Sequence, residues 1–380
     1  MTVLAAQPGI IFTLASFVAM IAVLVVVHEG GHFLAGRLFG ARIEAFAVGF
    51  GRELFGRTDR RGVRWRINAV PLGGYVKFVG DMNEVSQIDP AILALSEPER
   101  RGLFAFLPLW QRAIIVAAGP AINFLFAILI LASFNLTLGH QASPPVVDRV
   151  MPGSAAEAAG LKTGDRILAV DGEAVSRFED ITAQIVTGTG RPVSLTLTRG
   201  GETREIRVTP AMVESRDRFG NVTRHPRLGI ARPPEVVERV GPVAAVRWAV
   251  ADTWMITQSI WRTLHQVVLG ERDLSEMGGP VKTAQMAGQQ ASLGLVSAVA
   301  FMAFFSINLG FINLLPIPML DGGHLLLYGI EAVRRRPVAE QVQQWAFMSG
   351  FAALMSLMAV LTWHDIGSIG IWNRLAGWLG

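Results

Sequence analysis

Four stretches of the chain contain no Asp, Glu, Lys or Arg: residues 1–27, 113–147, 283–320 and 341–364. Each can hold the roughly 20 apolar residues that cross a bilayer core. Their apolar centres predict spanning helices from Gly9 to about Val27, at about Ala113–Leu138, Leu295–Leu320 and Trp345–Trp363. The first run passes straight into HEGGH with no charge before it. A signal peptide would carry a basic n-region and a small-residue cleavage site, so the run reads as a span. Between the second and third runs the pattern changes. VVDRV, DRILAVDG, PVSLTLTR and TREIRVTP alternate or carry β-branched residues and predict strands. SAAEAAGL predicts a short helix stopped by Gly160, and Arg177–Thr187 an amphipathic one. Gly200-Gly201 predicts a hairpin. In residues 41–80, ARIEAFAVGFG and VRWRINAVPLGGYVKFVG have strand character with glycine turns. Glu84–Arg101, polar with Pro90 and Pro98, reads as a connector. Residues 235–270 predict an amphipathic helix with Trp248, Trp254 and Trp261 about two turns apart, suited to a membrane interface or to packing on the neighbouring strands.

Composition sharpens this division. Over 380 residues, 51% are hydrophobic and 17% charged, against about 25% charged in an average soluble domain. All the charge falls outside the four stretches, where its density is the ordinary soluble value. Two solvents share one chain, and an ordinary soluble globule is excluded. The absence of cysteine excludes disulfide scaffolds, cysteine nucleophiles and Cys-ligated metals. The net charge of +4, with no basic block longer than three residues, argues against nucleic acid. The arginines instead mark sidedness. Segment 28–112 holds twelve Lys and Arg, with Arg37, Arg42 and Arg112 near the spans, and loop 321–344 holds Arg334, Arg335 and Arg336. Positive loops after the first and third spans place both termini, and residues 139–290, outside. In a bacterium that is the periplasm.

Charge resumes at two chemically distinctive places. Directly after the first run stands His28-Glu29-Gly30-Gly31-His32. Residues four apart share a helix face, so both imidazoles can reach one metal with Glu29 beside them. HExxH is a zinc-hydrolase signature of two ligands and a carboxylate that activates water. Catalytic zinc usually takes three protein ligands. The first charge after the third run is Asp321, in Asn313-Leu-Leu-Pro-Ile-Pro-Met-Leu-Asp321-Gly-Gly-His324. Pro316 and Pro318 prevent a regular helix there. Irregular backbone at membrane depth must be buried in protein or line a wet cavity. A carboxylate at that point complements the two histidines, with one zinc ion per chain.

HEGGH, NLLPIPMLDGGH and the strand-rich insert together resemble the site-2 protease family of intramembrane zinc metalloproteases, in its bacterial regulator-of-sigma-E protease branch. The resemblance implies that His28, His32 and Asp321 bind zinc, that Glu29 is the general base, and that Asn313 holds the substrate backbone or the oxyanion. It leaves His324 as support behind the ligands. Gly119-Pro120-Ala-Ile-Asn123 resembles another motif of the family, with Asn123 as a second supporting residue or as a helix–helix hydrogen-bond partner. The run from Val147 to Gly172 resembles a PDZ domain of the bacterial protease type, which implies a groove that captures a peptide as an added strand. Only one such unit is legible, and residues 211–234 are too few for a second. Residues 41–80 resemble the family's membrane-reentrant β-loop.

The expected fold class is therefore an α-helical polytopic membrane protein with four transmembrane helices, a membrane-reentrant β-loop and one mixed α/β PDZ-like soluble domain. Its divisions are a first transmembrane helix with HEGGH (1–39), a cytoplasmic-side reentrant loop and connector (40–112), and a second transmembrane helix (113–138). A periplasmic PDZ-like domain (139–234) and an interfacial helix with linker (235–290) follow. A third transmembrane helix (291–325), a cytoplasmic loop (326–344) and a fourth transmembrane helix with its tail (345–380) complete it. The resemblance implies cleavage, in the bacterial inner membrane, of single-span membrane proteins. These include an anti-sigma factor after a first outer cut, in envelope stress signalling, and remnant signal peptides. It implies a peptide or new C-terminus as the PDZ ligand. A PDZ-bearing scaffold or pseudoprotease is the alternative; such relatives lose Glu29 or Asp321, and both stand here.

Overall fold

The computed structural model describes residues 8–80, 95–216, 222–234, 236–271 and 278–368. Helix α1 (Ile10–Leu38) leads into the hairpin of β1 (Ile43–Thr58) and β2 (Arg64–Phe78). A single turn, α2 (Glu97–Arg100), precedes α3 (Leu109–Thr137). A strand-rich segment follows: β3 (His140–Ala142), β4 (Arg149–Val150), α4 (Ala155–Ala158), β5 (Arg166–Val170), β6 (Glu173–Ala174) and α5 (Phe178–Val186). It continues through β7 (Val193–Arg199), β8 (Glu202–Val208), β9 (Ala211–Arg216), β10 (Val222–Arg227), β11 (Ile230–Ala231) and β12 (Val236–Glu238). Five helices complete the order: α6 (Pro242–Val268), α7 (Pro280–Ser292), α8 (Leu295–Leu314), α9 (Asp321–Arg334) and α10 (Glu340–Ser368).

Among the described residues, four helices are long and apolar enough to cross a membrane: Ile10–Leu38, Leu109–Thr137, Leu295–Leu314 and Gln341–Gly367. In the most apolar window of the first, only 22% of residues are buried within the protein. Apolar side chains that face outward all round a helix call for lipid rather than water. With this and the mixed α/β segment, the chain is a polytopic membrane protein.

The chain divides into two compact units. The first takes residues up to 127 and 282–360. One of its cores is Ala41, Ile43, Phe46, Val63, Val76, Phe78, Phe104, Ile115 and Val116, between α1, the hairpin and α3. A second gathers Met20, Leu24, Ala287 and Phe301. The hairpin is bent: residues 45–48 of β1 partner both 74–77 and 64–67 of β2. The bend falls at Gly49, whose φ is +85° and whose carbonyl accepts a hydrogen bond from the buried Asn68 amide at 2.9 Å. Residues 52–58, absent from the sequence expectation, extend β1 because Phe55–Thr58 pair with Arg64–Ile67.

The third span differs from its expectation. It ends at Leu314, not Leu320, and residues 315–320 turn before α9 begins at Asp321. Pro316 and Pro318 remove two backbone donors, and Met319 sits at φ +84°. Positive φ in a non-glycine residue costs of order 1–3 kcal/mol and persists only where the surroundings hold it. They do so here: a Cβ on Gly322 would overlap the carbonyls of Leu314 and Leu315, and one on Gly323 would come 2.8 Å from Pro318 Cα. The turn folds down onto the first residues of α9.

The second unit comprises 128–281 and the described residues from 361. Its four-stranded sheet has the order β6-β5-β7-β8. Val147, Ile167, Val170, Phe178, Ile181, Leu195 and Leu197 form the core between sheet and α5. The hairpin β9–β10, which the sequence reading left out, and the pair β3–β12 complete it. Helix α6 packs on this module through Arg177–Asp252 (2.5 Å), Arg262–Glu173 and Gln266 Nε2 to the Thr187 carbonyl (2.6 Å). Its three tryptophans do not share a face. Trp248 turns inward and stacks on His140 at 4.3 Å, while Trp254 and Trp261 are exposed. The connector expected over Glu84–Arg101 and the tail after 368 lie largely outside the described residues.

Candidate metal centre

Helix α1 continues unbroken through HEGGH, so His28 and His32 stand one above the other on one face. Gly31 lets a second helix approach, since a Cβ there would overlap the Ala118 carbonyl of α3. The approach is closest at Gly119, where a Cβ would overlap His32 Nε2 and come 2.9 Å from His28 Cε1. Thus α3 presents three successive turns to the two imidazoles: the Ile115 carbonyl, the bare Gly119 and the Asn123 amide. His32 Nδ1–H donates to Ile115 O at 2.9 Å, which leaves its Nε2 as a free lone pair. Asn123 Nδ2 lies 3.0 Å from His28 Nδ1.

The turn ahead of α9 brings in Asp321. Its Oδ2 lies 3.2 Å from His28 Nε2 and its Oδ1 3.5 Å from His32 Nε2. The two Nε2 atoms are 3.3 Å apart. The side chains are only 12%, 12% and 16% exposed. Among the described residues these three form the one group of His and carboxylates that could hold a metal ion. Zinc bonds of about 2.0–2.1 Å in tetrahedral directions separate neighbouring ligand atoms by about 3.3 Å. The two Nε2 atoms stand at that separation, and each meets a different Asp321 oxygen at a comparable distance. Acceptor atoms this close repel one another unless protons or a cation lie between them. Asp321 Oδ2 has His28 Nε2 as its one polar neighbour among the described residues. Donor set and spacing fit zinc.

Glu29 lies on the neighbouring face of α1, against β2: a Cβ on Gly74 would come 3.4 Å from Glu29 Cγ. His324 is one turn beyond Asp321, its ring 4.9 Å from Phe347 and 6.5 Å from Tyr328. Asn313 is part of the last turn of α8 and is half-buried, with no side-chain hydrogen bond among the described residues. The structure thus brings together His28, His32, Asp321 and Asn123, and leaves Asn313 apart from their contacts. Two supporting features escaped the sequence reading. The Ile115 carbonyl carries no residue signature, since every residue has one. Ser306 donates to the Asn123 carbonyl at 2.9 Å, a tie between α8 and α3 that an isolated serine in an apolar run does not announce.

Comparison with known proteins agrees with this chemistry. The profile of peptidase family M50 matches residues 16–357. A protein of Rhizobium meliloti, provisionally named a zinc metalloprotease, is 42% identical over 360 residues, covering 93% of this chain and 96% of that protein. A similarly named protein of Agrobacterium fabrum is 40% identical over 373 residues, 97% of this chain and 99% of that one. Metalloprotease MmpA of Caulobacter vibrioides is 34% identical over 393 residues, again 97% and 99%. The chain belongs to peptidase family M50, the site-2 proteases, and is a zinc-dependent metalloprotease of that type.

Proposed function

We propose that the protein hydrolyses a peptide bond within or near the transmembrane segment of single-span membrane proteins. His28 and His32, through Nε2, and Asp321 hold the zinc. Zinc bound there supplies Lewis acidity, polarising the scissile carbonyl and acidifying water. Glu29 takes the proton from the attacking water and delivers it to the leaving amine. Asn313, the polar side chain nearest the break in the third span, donates to the substrate backbone or oxyanion. His324 supports the Asp321 turn from behind. The observation that carries this reading is the convergence of Asp321 on His28 and His32 at 3.2 and 3.5 Å, beside helices whose outer faces are apolar.

A helical substrate hides its amides in its own hydrogen bonds, so cleavage requires an extended stretch. The hairpin is the element in reach. It exposes Phe50, Leu54, Phe55, Trp65, Ile67 and Val70, which suits a loop dipping into the bilayer. Its β2 strand passes beside Glu29. In this reading β1–β2 is a reentrant loop that pairs with unwound substrate. The second unit is a PDZ-like module in the periplasm of a bacterial inner-membrane protein. The exposure of Trp254 and Trp261 supports a position of α6 at the outer interface. There the module excludes uncut substrates by size or captures a new C-terminus. An anti-sigma factor already trimmed on its outer side, in envelope stress signalling, and remnant signal peptides are the substrates this arrangement suits.

Glu29→Gln tests the assignment. The variant should hold one zinc per chain and lose cleavage of a single-span reporter by about 10²–10⁴-fold. Retained cleavage would sink the role of Glu29 and the mechanism with it.

A further inference from the structure

We infer that Asn123 is a positioning residue for the metal ligand His28: its side-chain oxygen accepts the His28 Nδ1 proton and so turns the Nε2 lone pair toward the zinc. The inference rests on the reading of His28 as a ligand and adds a residue to it.

An imidazole can bind a metal through Nε2 only if the remaining proton is on Nδ1. His32 meets that condition through Ile115 O, a backbone carbonyl that can only accept. Among the described residues no carbonyl takes that place at His28. What stands 3.0 Å from its Nδ1 is the amide of Asn123, fully buried. An amide has two ends, exchanged by a half-turn about χ2. With Nδ2 toward His28, Nδ1 must be the acceptor and the proton sits on Nε2, facing Asp321 and His32. That arrangement suits a protonated, metal-free centre. It also leaves Asn123 Oδ1 buried with no hydrogen-bond partner, a cost of about 1–3 kcal/mol. The half-turn gives Oδ1 a donor and moves the amide N–H groups to the position Oδ1 held. Oδ1 accepts from Nδ1–H, the orphan is satisfied, and Nε2 points its lone pair into the face formed with His32 Nε2 and Asp321.

The backbone that carries this amide is fixed against α8. Ser306 Oγ donates to the backbone carbonyl of Asn123 at 2.9 Å, and Gly310 of α8 lies so close that a Cβ there would be 3.2 Å from Asn123 Cβ. Asn123 therefore sits between α1 and α8, eight residues from the Ile115 carbonyl that orients the other histidine. One helix, α3, orients both imidazoles, from backbone at one turn and side chain at another. Groups that orient a ligating histidine typically change metal affinity by about 10–100-fold when removed.

Asn123→Leu and Asn123→Asp decide the matter in the full-length protein in detergent. The readouts are zinc affinity by chelator competition, the visible spectrum of the cobalt(II)-substituted protein, and thermal melting of the zinc-free form. Leucine fills the space and offers no acceptor, so zinc affinity should fall about 10–100-fold and the cobalt spectrum should change. Aspartate offers only acceptors and should hold zinc within about threefold of the parent with the parent's cobalt spectrum. Should the leucine variant not fold, the aspartate variant alone decides by the same threshold. Parent-like zinc affinity in Asn123→Leu overturns the inference, as does a tenfold loss in Asn123→Asp. A role confined to joining helices would lower the melting temperature of the zinc-free form and leave zinc affinity unchanged. His28→Ala is the separate control: if it keeps its zinc, the ligand assignment has failed rather than the role of Asn123.

Discussion

Two aspartates of opposite character stand one in each unit. Asp165 in the second unit is fully buried and fully answered. Arg199 grips it with two hydrogen bonds, 2.6 and 2.7 Å, and the Lys162 N–H adds a third at 2.8 Å. Asp321 in the first unit is 16% exposed, and its two oxygens meet only imidazole nitrogens, at 3.2 and 3.5 Å. Burying a carboxylate costs several kcal/mol unless it is paired. The first arrangement pairs it internally and yields structure. The second leaves the pairing to something that binds. Both carboxylates are largely shielded from water, so shielding alone does not distinguish structure from function; the set of partners does.

The comparison breaks first at Asp321. Asp321→Ala removes one of the three ligands, and the only one among them that carries a formal negative charge. Zinc content should drop from one per chain to well below that, and proteolysis should vanish with it. A variant that keeps stoichiometric zinc would mean that Asp321 is an internally satisfied group like Asp165. Gly119→Ala is the next largest effect. The added methyl would overlap His32 Nε2. Either the imidazole shifts from its contacts with His28 and Asp321, or α3 moves and takes the Ile115 carbonyl and the Asn123 amide out of reach of the two rings. Zinc affinity should fall by about tenfold or more, measured by chelator competition, although no ligand has been touched.

The same contrast explains what could be read along the chain. His28, Glu29, His32 and Asp321 announce themselves because charge and imidazole are costly beside a bilayer core, so their positions at the ends of uncharged runs are informative. The spans are legible for the complementary reason. The support is not. Ile115 acts through its carbonyl and Gly119 through the side chain it lacks, and neither alters hydropathy. The break at 315–320 is half legible: two prolines forbid a helix, but the positive φ of Met319 and the seating of the turn on Gly322 and Gly323 are tertiary facts. Strand character in Arg52–Thr58 was missed because REL and GRT interrupt the apolar alternation. Pairing with Arg64–Ile67 supplies what local propensity does not.

In the second unit, Asp165→Ala should destabilise the module by about 2–3 kcal/mol, since it strips charge-assisted hydrogen bonds from a buried site. The zinc content of the first unit should not change. Acid sharpens this prediction. Burial alone would raise the Asp165 carboxyl, but Arg199 and the Lys162 N–H outweigh it and hold the group below its ordinary range. A depressed value in the folded state means the pair's stabilisation is complete above the unfolded value, about 3.9. It is lost as pH falls through the folded one. Melting temperature should therefore decline below about pH 4 more steeply in the parent than in Asp165→Asn. Parallel curves would show that the pair contributes nothing in that window.

The smallest effect is expected where the geometry looks as good. Arg224 also places two nitrogens on one carboxylate, Glu214 Oε1, at 2.8 and 2.5 Å across the β9–β10 pair. Here the side chains are 66% and 52% exposed. Water competes for every one of those hydrogen bonds, salt screens the charges, and holding two long side chains in register costs rotamer entropy. Glu214→Gln should change stability by no more than about 0.5 kcal/mol, and half-molar salt should remove even that difference. A loss comparable to that of Asp165→Ala would mean that the pairing geometry, rather than the removal of water around it, sets the strength of these contacts. The same logic would then demand that Asp321, whose hydrogen bonding is the poorest of the three carboxylates, be the easiest to replace, the reverse of the zinc loss expected for Asp321→Ala.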